Sequence, residues 1–387
     1  MVSDPPALWC DTDMIDDTAR SASSPPSHGA RTLLMVSRGL DPVGTGRQVE
    51  LAATACRAAG WRVHVALTTA GGSGGDRLAA AGAIVHRVGR RPDIDAAAAL
   101  RVVGVARRLG LGGGDAILSW GRSQVPLAVA VRTLLPRPRL VCQLGSPPRS
   151  RLTRACLRRA DLVIAGSAAV AAACAPTAAA TDRLVTIPPA AAPAETAGLS
   201  RAMIASRLGL DPDKRWTLCV APLLPESRLE RLLWAIDQLG VVHRGLDHVL
   251  VGNGPLRARL LRRARVQQVA DRLHMVPHLD CLPDLLRQVA VVWQSGEVAC
   301  GGAILDGQAL GIPAVAVESA AARQCIADGE TGRIVPADPE SEFPRRVLGI
   351  VEDDALAARY AAAALARAAA EFPAERMAAA LVAAVSG

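Results

Sequence analysis

The chain has 387 residues, 44 Lys and Arg against 36 Asp and Glu for a formal net charge of +8, and is half hydrophobic although only 2% aromatic. That length admits two domains of ordinary size, each with its own core built from Ala, Leu and Val. No charge-free run of about 20 apolar residues is present, which argues against a spanning helix. The scarcity of aromatic stacking residues argues against a nucleic-acid partner.

Residues 1–30 carry five Asp with many Ser and Pro and no apolar core of a signal sequence, so a disordered lead is expected there. RTLLMVS (31–37) reads as a strand, RGLDPVGTGR as a glycine turn, and QVELAATACRAAG as a helix ending on Gly60. WRVHVALTT, AAAGAIVHRV, DAILSW, PRLVCQLG and DLVIAGS continue the strand-and-helix alternation. Such alternation predicts βαβ units and a parallel sheet covered on both faces. The Pro- and Ala-rich TIPPAAAPAETAGLSR (186–201) then reads as an interdomain linker. A second alternation starts at WTLCVAP (216–222) and runs to GRIVP, and Ala-rich helices follow from near Asp353 and after Pro373. The expected organisation is a lead (1–30), a first Rossmann-like domain (31–195), a second (196–372) and a terminal helix (373–387). Two doubly wound α/β domains would face a central cleft, with ligands at the carboxyl ends of the strands.

The nine cysteines are scattered, odd in number and never spaced as CxxC, which suits buried reduced thiols in a cytosolic protein and neither a disulfide framework nor a metal site. Charge is uneven: residues 31–195 hold 22 Arg against 9 acids, a net of +13, while residues 196–387 hold 21 basic against 22 acidic residues. Much of the excess lies between Arg132 and Arg159. It is either a solvated face or a surface for an anionic partner, such as a membrane or a phosphorylated acceptor.

Six segments in order carry a family resemblance: GTGRQVELAATACRAAGWRVHVAL, ADLVIAGSAAV, RLGLDPDKRWTLCVAPLLPESRLERLLWAI, VGNGP (251–255), LDGQALGIPAVAVES and ADGETGRIVP (327–336). Together they resemble the retaining GT-B glycosyltransferases of the glycogen-synthase-like group, the family 4 glycosyltransferases. The resemblance implies transfer of a sugar from a nucleotide diphosphate sugar to a saccharide or lipid-linked acceptor with retention. The donor is a co-substrate; neither a cofactor nor a metal is implied. A cytoplasmic protein, peripheral at the inner membrane face through its basic first domain, fits this reading. It further implies that the terminal helix crosses back to the first domain and that the domains close over the donor.

The resemblance also assigns positions, and the chain departs from several. Pro222 stands where the family places a phosphate-binding Arg, and Ser227 where it places a Lys. Arg228 and Arg231 are the nearest guanidiniums, either replacing those cations or serving as ordinary exposed helix arginines. Gly301, Gly302 and Ala303 open a helix whose free backbone N–H groups suit a phosphate. Asp306 takes the place of the acid that holds the ribose hydroxyls. The partner acid is expected at Val298, so Glu297 is either its stand-in or a solvated loop acid. Glu297 and Arg228 are therefore the candidate catalytic residues. Gly44 and Gly46 allow close backbone approach to a phosphate or sugar, or simply make a tight turn. His278 falls where the family backbone holds the nucleobase, and equally suits a surface position. Cys300, lacking a basic partner, reads as packing.

A catalytically impaired homologue that binds or scaffolds is the main alternative, because Pro222, Ser227 and Val298 all depart from polar roles. A nucleotide-sugar epimerase with the same domain pair is a further one. A Rossmann oxidoreductase fits less well, since the first turn is GLDPVGTG rather than GxGxxG and no acid follows WRVHVALTT.

Overall fold

A computed structural model of the chain describes residues 31–40, 44–70, 74–90, 96–177, 181–297 and 302–387. The expected lead and the positions Val298, Cys300 and Gly301 lie outside the described residues. Residues 31–387 form one compact unit containing two all-parallel sheets. The first is built from β1 (Thr32–Ser37), β2 (Arg62–Leu67), β3 (Ile84–Arg87), β4 (Ala116–Trp120), β5 (Arg139–Leu144), β6 (Leu162–Ala165) and β7 (Leu184–Thr186). The second comprises β8 (Arg215–Val220), β9 (Leu246–Val251), β10 (Leu273–Val276), β11 (Val291–Gln294), β12 (Ala314–Val317) and β13 (Gly332–Val335).

Strand order is β3-β2-β1-β4-β5-β6-β7 in one sheet and β10-β9-β8-β11-β12-β13 in the other, the doubly wound order in both. The central strands show why. TLLMVS of β1, AILSW of β4 and LDHVLV of β9 are buried at every position, as a sheet with helices on both faces requires. Each sheet accordingly has two apolar layers, mostly Leu, Val, Ile and Ala. The few aromatics concentrate in the second domain, where Trp293 stacks on Phe343 at 5.3 Å and both are fully buried. Serine caps start several helices: Ser150, Ser167, Ser200 and Ser319 each accept the N–H three residues on, completing a donor the helix cannot satisfy itself.

Two crossings join the halves. The segment after β7 is gripped by the helix Thr45–Ala58: Gln48 donates to the Ala190 carbonyl (2.7 Å) and accepts the Ala190 N–H (2.8 Å), while Arg47 donates to the Ala192 carbonyl (2.7 Å). The second crossing runs through Phe372, whose carbonyl accepts the Ala191 N–H at 2.8 Å. The last helix, Ala374–Ser386, then lies on Thr45–Ala58 and buries Met377, Leu381 and Val385 in the first domain's core.

Candidate functional site

In each sheet the winding direction reverses between two central strands, β1 and β4 in the first, β8 and β11 in the second. The loops leaving their carboxyl ends diverge there, and that crevice is where such folds receive ligands. In the second domain these two loops are locked together. Gly296 follows β11 so tightly that a Cβ on it would lie 2.4 Å from the Glu226 carbonyl oxygen and 2.6 Å from the Ser227 carbonyl carbon. Ser295 Oγ donates to the Ser227 carbonyl (2.8 Å), and the Glu297 N–H donates to the Glu226 carbonyl (3.1 Å). Ser227 is fully buried and spends its hydroxyl on the Pro222 carbonyl at 2.6 Å. Neither Pro222 nor Ser227 therefore offers a ligand any positive charge.

A second junction joins this crevice to the first domain. Gly44 has φ 59° and Gly302 φ 52°, conformations open to glycine. Their backbones touch, since a Cβ on Gly44 would meet the Gly302 Cα and carbonyl carbon at 3.2 Å. One turn further on, the Asp306 Oδ2 accepts the Gly44 N–H at 2.9 Å, while Oδ1 is buried without a hydrogen-bond partner among the described residues. Only 1% of Asp306 is exposed. Burial pushes its carboxyl up to about 7, opposed by the Gly44 hydrogen bond, by Arg47 and by the nearby Ala192 backbone, and reinforced by Glu50. Gly46, Gly302 and Ala303 are buried beside it. The structure thus brings Gly44, Gly302, Ala303 and Asp306 together across the two domains.

Charged residues complete the crevice. Glu226, in the short turn Pro225–Ser227 after β8, pairs with Arg122 at 2.8 Å, and Arg149 stands 3.8 Å from the same carboxylate. Glu297 is engaged by the other guanidinium nitrogen of Arg149. Arg122 leaves the end of β4 directly after Gly121, and its second nitrogen donates to the Pro147 carbonyl (3.3 Å). Arg149 sits between Pro147-Pro148 and the capped start of the helix Arg151–Leu157, which restricts its backbone.

The remaining expected site residues lie further out. Arg228 caps the helix Leu229–Val242 at φ 50°, exposed and without a side-chain hydrogen bond or ion pair among the described residues. Arg231 is bound to Glu340 through two nitrogens at 3.3 Å. His278 lies half-buried just beyond β10. In the first domain, Trp120 and Gln143 near the ends of β4 and β5, which were not among the expected site residues, are buried and line a small cavity with Pro188 and Pro189 of the linker. Arg122, Arg149 and Glu226 escaped the sequence reading. The available signal was the Pro-Pro-Arg-Ser turn, hidden in a run already dense with arginine.

Comparison with known proteins decides what this architecture is. Residues 214–353 match the family model for glycosyl transferases group 1. The Anabaena protein HepE, solved with UDP-glucose, superposes with a TM-score of 0.71 at 18% identity, covering 92% of this chain and 99% of that one. This chain has the GT-B glycosyltransferase fold. A glycosyltransferase from Rickettsia africae agrees, with a TM-score of 0.65 at 13% identity over 92% of this chain and 98% of that one. A stretch of 147 residues is 38% identical to phosphatidyl-myo-inositol mannosyltransferase of Mycolicibacterium smegmatis. It spans 36% of this chain and 36% of that relative's length. Within the GT-B fold, the matched residues 214–353 take in all of β8 to β13, and with them Glu226, Glu297, Gly302 and Asp306.

Proposed function

We propose that the chain is a glycosyltransferase that takes a sugar from a nucleotide diphosphate sugar and passes it, with retention at the anomeric carbon, to a saccharide or lipid-linked acceptor. The observation that carries this reading is the crevice itself. Two opposed switch points meet through glycine backbones and a shared carboxylate, at the place where this fold receives ligands. HepE, which shares the fold, has been solved with UDP-glucose and with UDP and glucose.

Breaking the donor's glycosidic bond puts negative charge on the diphosphate, so the protein's task is to stabilise that charge and hold the sugar. In this reading the backbone N–H groups from Gly302 and Ala303 receive a phosphate, Arg228 reaches toward it from its exposed cap, and Arg231 becomes available on leaving Glu340. Asp306 accepts from the ribose once the domains part and Gly44 withdraws. Glu297 accepts a sugar hydroxyl, and His278 flanks the base. Gly44 and Gly46 let the first domain's backbone close on the donor. No metal or cofactor takes part. The acceptor enters from the basic first domain, where Arg151, Arg154, Arg158 and Arg159 are exposed beside Leu152. That face suits an anionic bilayer and a peripheral location at the cytoplasmic side of the membrane. No helix among the described residues is long and apolar enough to cross a membrane.

Calorimetric titration with UDP-, GDP- and ADP-sugars, combined with a donor-hydrolysis assay, tests the reading. One nucleotide sugar is expected to bind and to be slowly hydrolysed. Absence of binding up to millimolar donor, with no hydrolysis, would sink it and leave a binding or scaffolding homologue. Asp306→Ala is expected to weaken donor binding by about 1–3 kcal/mol, since a ribose hydroxyl pair loses its charged acceptor. An unchanged dissociation constant would remove Asp306 from the site.

A further inference from the structure

Charge in the crevice is arranged the wrong way round for a donor held by the second domain alone. The loops after β8 and β11 present two carboxylates, Glu226 and Glu297, locked side by side through Gly296 and the Glu297 N–H. Pro222 and the buried Ser227 contribute no cation, so on that wall an incoming diphosphate would meet two negative charges with Arg228, exposed at the start of the next helix, as the cation beside them. The opposite wall carries the balance. Arg122, just beyond β4, and Arg149, in the loop after β5, reach across the crevice to those same two carboxylates. Among the described residues, they are the cations whose side chains engage these two carboxylates at the switch point of the second sheet.

We infer that the diphosphate of the donor is bound by Arg122 and Arg149 of the first domain, and that Glu226 and Glu297 are the resting partners it displaces. This rests on the nucleotide-sugar reading above and concerns the same crevice. A guanidinium presents a planar fork of donors that matches phosphate as well as carboxylate, and a diphosphate carries more charge than a single carboxylate. Exchange of one anion for the other therefore needs little rearrangement of the arginines. Both are held ready: Arg122 by its bond to the Pro147 carbonyl, Arg149 by the flanking prolines and the Ser150 cap. When the phosphates take Arg149, Glu297 is released, free to accept a hydroxyl of the sugar beside it. Donor binding is thus completed only when both domains contribute, which links occupancy to closure.

The experiment is a calorimetric titration of the full chain with UDP, GDP and ADP. It compares the wild type with Arg122→Gln, Arg149→Gln, the double variant, Glu226→Gln, and Arg345→Gln as a surface control on the helix Glu342–Glu352. The nucleoside diphosphate that binds the wild type is expected to lose roughly tenfold in affinity in each single arginine variant and roughly a hundredfold in the double, with the control unchanged. Glu226→Gln is expected to bind more tightly than the wild type, because a resident competitor is gone. A purely structural ion pair would give the opposite sign in that variant, so the result stands even if an arginine variant folds poorly. Wild-type affinity in the double variant, or weaker binding in Glu226→Gln, overturns the inference and leaves the glycosyltransferase reading intact; arginines that serve an acceptor phosphate would give the first of these. If none of the three diphosphates binds the wild type, both fall together.

Discussion

A carboxyl with one oxygen on the Gly44 N–H and the other without a hydrogen-bond partner among the described residues, in a site 1% exposed, is expensive to ionise. Its pKa of about 7, against an ordinary value of 3.8, has a consequence with a definite sign. Below about pH 4 the group is protonated in both folded and unfolded chains and costs nothing. As pH rises towards 7 the unfolded chain has already released the proton while the folded one still holds it, so stability falls across that window. His64 and His248 work against this. Desolvation lowers them to about 4 and about 3 from 6.5, so the stability they carry is present above pH 6.5 and is lost as pH drops. Asp306→Asn keeps an acceptor for Gly44 and removes the titration. Urea midpoints at pH 5 and pH 7.5 should show the variant gaining stability relative to wild type at the higher pH; an identical difference at both values would mean that Asp306 ionises freely. Asp306→Ala, which leaves the Gly44 N–H without its acceptor, should cost about 1–3 kcal/mol at pH 5.

At the level of elements, the strands and helices were readable from the sequence because they repeat a local pattern. LLMV, VLV and VVW are continuous apolar runs within β1, β9 and β11, and each is followed by a helical period, so a doubly wound α/β class follows from residues a few positions apart. The crevice was not readable in the same way. Arg122 and Glu226 are 104 positions apart, and Arg149 and Glu297 are 148 apart, so no window contains either pair. Gly296 was equally silent, since nothing local tells that its missing side chain lets one loop lie on another. Gly296→Ala must push Glu226 and Ser227 away by roughly an ångström. Such overpacking should cost about 1–3 kcal/mol and lower nucleoside diphosphate affinity at the same time, measurable by urea denaturation and calorimetry on one preparation. The last helix makes the complementary case. Leu381 is 1% exposed in the first domain's core although it follows the whole second domain in sequence. Leu381→Ala should destabilise by about 2–5 kcal/mol, and hydrogen exchange should show the loss first in β1, β4 and the helix Thr45–Ala58. Loss confined to the second domain would contradict the crossing.

For the molecule as a whole, what holds the crevice shut is polar and partly wet. The Arg122 and Glu226 side chains are 25% and 21% exposed, and such pairs are worth only about 0–1 kcal/mol each once screening is counted. Gln324 adds a hydrogen bond to the Gly166 carbonyl (2.6 Å), and Asp306 one to Gly44. The permanent joints are elsewhere, in the Gln48 clamp on the linker and the last helix buried on Thr45–Ala58. A molecule built this way has a firm hinge and a weakly latched mouth, the arrangement needed for a cleft that opens to load a ligand and closes on it. Arg122→Glu places a carboxylate against Glu226 and should open the mouth without unfolding either domain. Small-angle scattering should report a larger radius of gyration for that variant, with wild-type circular dichroism. Adding Glu226→Arg to it restores opposite charges in reversed order, and the radius should return towards the wild-type value. If Arg122→Glu scatters as the wild type does, the latch is not electrostatic, and closure depends on the Gly44, Gly302 and Asp306 junction instead.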